Sequence, residues 1–527
     1  MRANFALRIS FVLSLASLSL GAIGPVSNLY IGNAVVAPDG FSRAAVLAGN
    51  SANNLTAIGP LIQASLGDQF RLNVVNRLKD TRMLRTTSIH WHGFFQNGTA
   101  WADGVVGATQ CPIIPGESFE YRFQSPNQAG TFWYHSHHST QYCDGLRGPM
   151  VVYDPNDPHK NLYDHDNENT VITVGDWYHK FASEASSALG LEPNSTLING
   201  YGRYPTGPLV SLAVINVVQN KRYRFRLVNI ACEPSYNVSI DAHDMTIIEV
   251  EGENVQPYTV TSLEIFSGQR YSVVVNANQP VGNYRIRANP SFGPRGYDNG
   301  INSAILRYAG APAREPTTAD HSHVNPMKEK NLHSLINPAA PGIAKPGAAD
   351  ENINLKIDLN ILGQFTINGA VFQPPTLPVL LQLMNGAPAK QLLPSGSVYT
   401  LPRNRVIEIS IPGTPPQKGS PHPMHLHGHA FDVIRVAGST DYNFINPPRR
   451  DVVNTGTEND NVTIRFRTNN PGPWILHCHV DWHLEYGLAV VFAEEPSTIS
   501  AMKPPAAWDE LCPTYQNFPG PDSPTRP

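Results

Sequence analysis

The sequence predicts an all-β protein made of β-sandwich or β-barrel domains. Short segments in which apolar and polar residues alternate recur along the chain, for example around Phe70, Phe119, Tyr271 and Val462. Glycine (41) and proline (46) are abundant and charged residues make up only 15%, which suits a β-protein with many turns. A chain of 527 residues is too long for one ordinary domain, and its size predicts roughly three.

The N-terminal segment, residues 1–21, predicts a secretory signal peptide. Arg2 and Arg8 precede an apolar run, and small residues follow it around Gly21, the expected cleavage point. The run is too short for a membrane anchor, and no later stretch is long enough to cross a bilayer. We therefore expect a secreted, extracellular protein without a membrane partner. N-glycosylation is predicted at the five Asn-x-Ser/Thr sequons, which begin at Asn54, Asn97, Asn194, Asn237 and Asn461.

Two irregular stretches divide the mature chain. Residues 154–159 end the first run of strands. Residues 310–350 have the Pro-, Ala- and charge-rich composition of a long connection. We predict domains at 22–157, 158–326 and 327–527, the last with a C-terminal tail. One module, a turn followed by an aromatic–histidine segment, occurs in the first and last domains as PNQAGTFWYHSH and NNPGPWILHCH. The related strand of the middle domain has no histidine cluster.

Charge and cysteine content limit the partners and the compartment. The net charge is −4 and the isoelectric point is about 6.5, so nothing indicates a nucleic-acid partner, and we expect a monomer. Four of the five cysteines can form two disulfides outside the cell, with three pairings open: Cys111, Cys143, Cys232 and Cys512. Cys478 lies between two histidines and stands apart from this set.

Ten of the nineteen histidines fall into four clusters that predict a shared metal site. Residues i and i+2 of a strand point to one face, so each His-x-His pair can present two imidazoles to a metal. One such pair is a weak signal and usually marks a surface strand. His321 and His323 have this spacing but lie in the long connection, and we expect them to be solvated. The clustered residues are His90, His92, His135, His137, His422, His425, His427, His477, His479 and His483.

The His477-Cys478-His479 segment predicts two metal sites back to back. In an extended strand Cys478 points to the face opposite to its two neighbours. His425 and His427 are two positions apart and point to one face, whereas His422 is an odd number of positions from both and points to the other. We therefore place His422 with Cys478. The remaining eight histidines come from both ends of the chain and are predicted to hold three copper ions. Such a cluster joins the first and last domains, and it can collect single electrons and deliver four to dioxygen.

The cysteine site is predicted to hold a fourth, blue copper ion. Cys478, His422 and His483 supply a thiolate and two imidazoles, which suit a trigonal blue-copper centre. The residue expected at the axial position is Leu488 instead of Met, which favours Cu(I) and raises the reduction potential. Zinc is the competing metal, but a single cysteine among ten histidines lacks the paired cysteines of structural zinc sites.

Four motifs carry a resemblance to a known family: HWHGFFQNGTAWADG, GTFWYHSHHSTQYCDGLRGPMVVYDP, HPMHLHGHAFDVIR and HCHVDWHLEYGLAVVFAE. From Ile23 to the C-terminus the chain resembles the multicopper oxidases and, within them, the basidiomycete-type fungal laccases. The resemblance implies three cupredoxin-like Greek-key β-sandwich domains and the disulfides Cys111–Cys512 and Cys143–Cys232. It also implies a benzenediol:oxygen oxidoreductase that acts on phenols and aromatic amines, in lignin degradation or detoxification.

The resemblance also divides the eight histidines between two kinds of copper. His90 and His425 would hold the isolated, type 2 ion. The coupled, type 3 pair would be held by His92, His135, His137, His427, His477 and His479.

The resemblance implies roles for five further side chains. His483 would receive the electron from the substrate while Glu233 takes the phenolic proton at mildly acid pH, although Glu233 reads equally well as a surface loop carboxylate. Phe292 resembles an aromatic residue of the substrate pocket, and the alternative is a place in the hydrophobic core. Asp103 and Asp481 match acids that assist proton delivery or orient copper-ligating histidines.

Two alternatives to a laccase remain open. A ferroxidase or an ascorbate oxidase has the same scaffold, but fungal ferroxidases usually carry a C-terminal anchor and ascorbate oxidases an axial Met. A copper-binding electron carrier without catalysis needs only the cysteine site. That reading leaves the eight other histidines without a purpose.

Overall fold

The computed structural model describes residues 21–388 and 391–519, which fold into three β-sandwiches in chain order. The predicted signal peptide, apart from Gly21, lies outside the described residues. Each sandwich surrounds a hydrophobic cluster, and the strands follow the alternating pattern in the sequence. Phe70, Leu72 and Val74, for example, point into the core of the first domain while the residues between them are less buried. The all-β, cupredoxin-like fold class is therefore confirmed.

The first sandwich contains two sheets, whose side-by-side strand orders are β3-β2-β1-β5-β7 and β4-β9-β8-β6. The first strand pairs in parallel with the fifth, and the fourth pairs in parallel with the ninth. Because parallel partners cannot be joined by a hairpin, the chain crosses between the two sheets, as in a Greek key. The strands are β1 (Val26–Val36), β2 (Arg43–Ser51), β3 (Asn54–Thr56), β4 (Ile62–Ser65), β5 (Gln69–Asn76), β6 (Ile89–His92), β7 (Ser118–Gln124), β8 (Gly130–Ser136) and β9 (Arg147–Tyr153).

The middle sandwich is larger, with sheet orders β12-β11-β10-β14-β19-β16-β17 and β13-β21-β20-β15-β18. Its core is rich in Val, Ile and Tyr. The strands are β10 (Val171–Trp177), β11 (Ser195–Ile198), β12 (Tyr201–Arg203), β13 (Val214–Val217), β14 (Arg222–Asn229), β15 (Tyr236–Ile240), β16 (Met245–Val250), β17 (Glu253–Val260), β18 (Ser262–Ile265), β19 (Arg270–Asn276), β20 (Asn283–Pro290) and β21 (Ser303–Tyr308).

The third sandwich has sheet orders β22-β26-β31-β28-β29 and β25-β33-β32-β27-β30, with a separate β23-β24 hairpin. The strands are β22 (Glu351–Asn354), β23 (Ile357–Leu359), β24 (Phe365–Ile367), β25 (Val398–Leu401), β26 (Val406–Pro412), β27 (Pro423–Leu426), β28 (Phe431–Arg435), β29 (Arg449–Arg450), β30 (Val452–Asn454), β31 (Asn461–Arg467), β32 (Gly472–Cys478) and β33 (Ala489–Glu494). Short helices are α1 (Val379–Met384), α2 (Asp481–Glu485), α3 (Pro496–Ile499), α4 (Ala506–Asp509) and α5 (Leu511–Gln516).

Packing between sandwiches brings the two ends of the chain together. Side chains of the third domain, including Phe372 and Ile475, belong to the same hydrophobic cluster as the core of the first domain. Both expected disulfides are present and cross domain boundaries. Cys111–Cys512 joins the first domain to α5, and Cys143–Cys232 joins the first domain to the middle one. Strands β6, β8, β27 and β32 are buried throughout, so the histidines they carry lie inside the molecule.

The long connection predicted at 310–350 links β21 to β22 and remains irregular apart from short turns. It stays bound to the middle domain as far as Ser334, through bridges between Ser262 and Pro326 and between Val255 and Ser334. His321 accepts a hydrogen bond from the backbone N–H of Ala242. Among the described residues, no group with metal-ligating geometry includes His321 or His323.

Candidate metal centres

Strand β32 divides its side chains between two sites. It pairs with β27 in a register that sets Met424 opposite Cys478 and His425 opposite His477. Met424 and Cys478 therefore share one face of the sheet, and His425 and His477 share the other. The first face packs into the core of the third domain, whereas the second faces the first domain.

The cysteine site is a compact triangle of three buried side chains. Cys478 Sγ lies 3.3 Å from His483 Nδ1 and 3.6 Å from His422 Nδ1, and the two nitrogens are 3.2 Å apart. His422 immediately precedes β27, Cys478 ends β32, and His483 lies on α2. The helix begins directly after the strand because the N–H of His483 donates to the carbonyl of Val480, which turns His483 back towards the cysteine.

The surroundings of the cysteine site are apolar. Leu488 is fully buried in the hydrophobic cluster that contains Cys478. Its N–H donates to the carbonyl of His483 and its carbonyl accepts from the N–H of Cys478, so its backbone is fixed between two members of the site. The Phe365 ring packs 4.6 Å from the His483 ring. Gly419 lies at the edge of His483, where an added Cβ would be 2.7 Å from Nε2, so a side chain there would cover the imidazole.

The other eight histidines form one buried cluster between the first and third domains. Six of them divide into two triplets whose ligating atoms lie within 4.8 Å of one another. The first triplet is His92, His135 and His479, and the second is His137, His427 and His477. His90 and His425 lie between the triplets: the His90 ring stacks on His427 at 3.9 Å, and the His425 ring stacks on His92 at 3.8 Å. No spacing along the chain predicts how these six histidines divide into two triplets.

Hydrogen bonds to oxygen acceptors fix the orientation of most of these rings. A carbonyl oxygen can only accept a hydrogen bond, so Nδ1 carries the proton in the four rings that contact one. The four bonds run from His90 to the carbonyl of Asp103, from His135 to that of Ser136, from His425 to that of Asp451, and from His477 to that of Cys478. His427 Nδ1 likewise donates to the Asp103 carboxylate over 2.9 Å. The Nε2 lone pair of each ring is therefore free to bind a cation.

The free lone pairs show that the donor set fits metal ions. The Nε2 atoms of His427 and His477 face each other at 3.2 Å, and two acceptors at that distance repel unless a cation lies against both. Within the cluster, the Nε2 atoms of four further rings are buried without a hydrogen-bond partner, which is costly in a folded protein. They belong to His90, His135, His137 and His425. Imidazole and thiolate donors in these numbers suit copper.

Burial favours the neutral form, which metal binding requires, in nine of the clustered imidazoles. It lowers the pKa of His477 to about 4 and that of His422 to about 3. Burial also lowers the pKa of His92, His135, His137, His425, His427, His479 and His483 well below the ordinary value. The same burial raises the pKa of the Cys478 thiol, so a cation must bind if the thiolate is to form.

Two buried carboxylates contact the histidine cluster, and the sequence identified only one of them. Asp103 touches His427 and also lies 3.2 Å from His90 Nδ1, as expected of an acid that orients ligands. Asp451 was missed. Its Oδ1 lies 3.3 Å from His92 Nε2 and 3.6 Å from His425 Nδ1. An acid directly after two arginines at the start of a buried strand, in PPRRDVVNT, was the available signal.

The three other predicted residues lie outside both groups of ligands. The Asp481 carboxylate lies 3.3 Å from Cys143 Sγ, and burial followed by repulsion from Asp176 raises its pKa. No hydrogen bond joins it to a described histidine. Glu233 is half-buried, with Oε2 inaccessible to solvent and without a hydrogen-bond partner. Phe292 is 38% exposed on the loop after β20 and stacks on no aromatic ring of the described residues.

A cavity of about 390 Å³ reaches the histidine cluster from the surface between the first and third domains. His137 lines its inner end, and Phe372, Pro374, Leu484 and Tyr515 supply much of its apolar wall. Of the ten clustered histidines, only His137 lines this cavity.

Comparisons with known proteins agree with this geometry. Family models described as multicopper oxidase match residues 35–157, 168–311 and 372–498. "Laccase-1" of Pleurotus ostreatus is 59% identical over 501 residues, which cover 94% of this chain and 93% of the relative. "Laccase" of Trametes hirsuta is 59% identical over 508 residues and 96% of each chain.

Solved structures give the same result at lower identity. A variant of the laccase from Botrytis aclada superimposes with a TM-score of 0.81 at 30% identity, over 94% of this chain and 92% of that one. Fet3p, described as a multicopper oxidase that functions in iron import, superimposes with a TM-score of 0.81 at 26% identity, over 94% and 95% of the two chains.

Proposed function

The chain belongs to the multicopper oxidase family, and we propose that it works as a laccase. It oxidises phenols and aromatic amines one electron at a time and reduces dioxygen to water with four electrons. Its cofactors are four copper ions, one at the cysteine site and three at the histidine cluster. When bound, these ions supply the one-electron chemistry at the first site and the dioxygen chemistry at the second.

One observation carries the proposal: consecutive residues of one strand belong to the two sites. Cys478 lies in the triangle with His422 and His483, whereas His477 and His479 lie in the two different histidine triplets. The backbone on either side of Cys478 is therefore a short covalent route from the cysteine site to both triplets. A carrier protein needs no such junction, but an enzyme that oxidises one substrate and reduces another does.

At the substrate side, we propose that His483 receives the electron and Glu233 the proton. His483 is held by Cys478 on one edge, and the tight Gly419 turn lies along the other edge without a covering side chain. Glu233 directly follows Cys232, whose carbonyl accepts a hydrogen bond from the N–H of Asp481 near the start of α2. That contact brings the Glu233 segment to the helix that carries His483. A carboxylate with one unpaired buried oxygen is suited to accept a phenolic proton.

We further propose a secreted, glycosylated monomer that acts on small phenolic or aromatic amine substrates, in lignin degradation or detoxification. The two disulfides support an oxidising compartment. Of the five sequon asparagines, Asn54, Asn97 and Asn237 are exposed, and we assign glycans to these. Asn194 accepts a hydrogen bond from the N–H of His179 and is less accessible. In the part of the chain that the structure describes, no helix is long and apolar enough to span a membrane.

The test is an oxygen-consumption assay on copper-loaded protein with a phenol, an iron(II) salt and ascorbate compared side by side. A laccase consumes oxygen fastest with the phenol. Preference for iron(II) would indicate a ferroxidase, preference for ascorbate an ascorbate oxidase, and no consumption with any substrate an electron carrier. Intact mass before and after glycosidase treatment, with light scattering, tests the glycans and the monomer.

A further inference from the structure

We infer that the middle domain, which supplies none of the candidate copper ligands, positions the histidine cluster through Arg270 and Glu251. Both side chains are buried, and both reach across the domain boundary to one segment of the third domain, residues 450–452. That segment carries Asp451, the acid that touches His92 and His425. The inference rests on the copper assignment proposed above.

Arg270 joins all three domains at the edge of the cluster. Its Nη1 and Nη2 donate to Asp451 Oδ1 and Oδ2, each over 2.6 Å, in a two-point contact with the third domain. Its Nε donates to the carbonyl of Thr131, on the strand of the first domain that carries His135. Five fixed donors let one arginine hold two domains in one geometry, which a lysine cannot do.

Glu251 fixes the backbone around Asp451 from the same side. Its Oε2 accepts from the N–H groups of Asp451 and Val452 over 2.7 and 2.8 Å, and Arg450 donates to its Oε1 over 2.5 Å. The carbonyl of Asp451 accepts from His425 Nδ1, so a shift of this backbone turns the His425 ring. The middle domain thus holds both the side chain and the main chain of Asp451.

The turn before Arg270 also lies directly against the cluster. An added Cβ on Gly268, where φ is +85°, would be 2.8 Å from Cδ2 of His479 and 3.1 Å from Cε1 of His92, so the backbone packs on both rings. Ser267 Oγ lies 3.2 Å from His479 Nδ1, and Gln269 Nε2 donates to the carbonyl of Val452. Consecutive residues of the middle domain therefore contact ligands from the first and third domains. We call Arg270 and Glu251 positioning residues because neither touches a reacting atom.

The test compares Arg270→Lys with Arg287→Lys in the holoenzyme. Arg287 makes a similar buried two-point contact to Asp241, within the middle domain. It contacts none of the clustered histidines. We expect Arg270→Lys to lose cluster copper to a competing chelator roughly 10–100 times more readily than the parent, the usual effect of losing a contact that orients ligands. Its EPR signal from the isolated copper should change, while the blue absorption band stays. Arg287→Lys should match the parent in all three measurements.

Equal copper retention in Arg270→Lys and the parent would overturn the inference. So would equal losses in Arg270→Lys and Arg287→Lys, because general loosening of the middle domain would then explain both. If Arg270→Lys does not fold, Glu251→Gln replaces it: the amide oxygen still accepts from the backbone, but the charge facing Arg450 is gone. Unchanged copper retention in that variant contradicts the inference. Failure of the copper assignment itself is distinguishable, since the parent protein would then bind no copper at the cluster.

Discussion

The cysteine site and the histidine cluster share strand β32 but draw on very different lengths of chain. The cysteine site takes His422, Cys478 and His483 from one domain, within about sixty residues of sequence. The cluster takes ligands from the first and third domains, and hydrogen bonds from the middle domain hold it. The first site takes all three of its ligands from the third domain. The second forms only when all three domains are docked.

The two sites also differ in what surrounds their ligands. Leu488 and Phe365 give the cysteine site an apolar wall, and Thr414 hydroxyl lies 3.1 Å from His422 Nε2. Asp103 and Asp451 place two carboxylates against the rings of the cluster. Apolar packing therefore controls the environment of the cysteine site, and charged side chains control that of the histidine cluster. Substitutions that affect one site and spare the other test this distinction.

The largest expected effect is that of Cys478→Ser. Serine removes the thiolate that one copper ion needs, so the blue absorption and all turnover should disappear. The three copper ions of the cluster should remain, because Cys478 points away from the histidines. Metal quantitation checks the count. Loss of all four ions from protein that is still folded would show that the two sites are not separable.

Asp103→Asn should damage the cluster and spare the cysteine site. The amide keeps the size of the side chain but sets an N–H group against the Nδ1 proton of His90 or His427, which both lie against the carboxylate. We expect copper retention at the cluster to weaken about 10–100-fold. His321→Ala with His323→Ala is the control and should keep all four ions. A blue band that weakens in step with the loss of cluster copper would argue against independent environments.

Glu233→Gln should reduce kcat/KM for phenols by about tenfold, less than full general-base assistance because the side chain is only half-buried. Burial, followed by repulsion from Asp176, raises the pKa of Glu233 well above that of a free carboxyl. The base form is therefore present above this raised pKa and lost as pH falls through it. The loss caused by the substitution should grow as pH rises.

The sequence predicts a reduced kcat/KM for phenols at mildly acid pH, and the raised pKa of Glu233 adds the direction of the pH dependence. The control is a substrate that gives up an electron without a proton, measured on the same copper-replete preparation. Equal losses for both substrates would indicate an electrostatic or folding effect. No loss for either would leave Glu233 as an ordinary loop acid.

Leu488→Met should have the smallest effect. A thioether approaching the copper of the cysteine site stabilises Cu(II), so the reduction potential of that site should fall. The volumes of Leu and Met are similar, so stability should change by less than about 1.5 kcal/mol. Redox titration with thermal unfolding provides both values. An unchanged or higher potential would contradict the placement of Leu488 at the axial position.

The fold class and the metal-ligating residues could be predicted from the sequence because both depend on local patterns. Alternation with period two identified the strands, and the same period separated Cys478 from His477 and His479. Motif resemblance supplied the disulfide pairs. Each inference depends on residues a few positions apart, or on motifs whose order in the chain is fixed.

Contacts between residues that are distant in sequence became visible from the folded structure alone. The grouping of six histidines into two triplets depends on how the first domain docks on the third, and no spacing along the chain encodes that orientation. Asp451 became a candidate only through its contacts with His92 and His425. Arg270 begins strand β19, and nothing in the sequence of that strand predicted the contacts of its guanidinium with the first and third domains. Local sequence patterns were enough to predict which side chains are available and to which face of a strand each one points. The docking of three sandwiches then determined which of them share a metal ion, because contacts between domains depend on surfaces built from many separate segments.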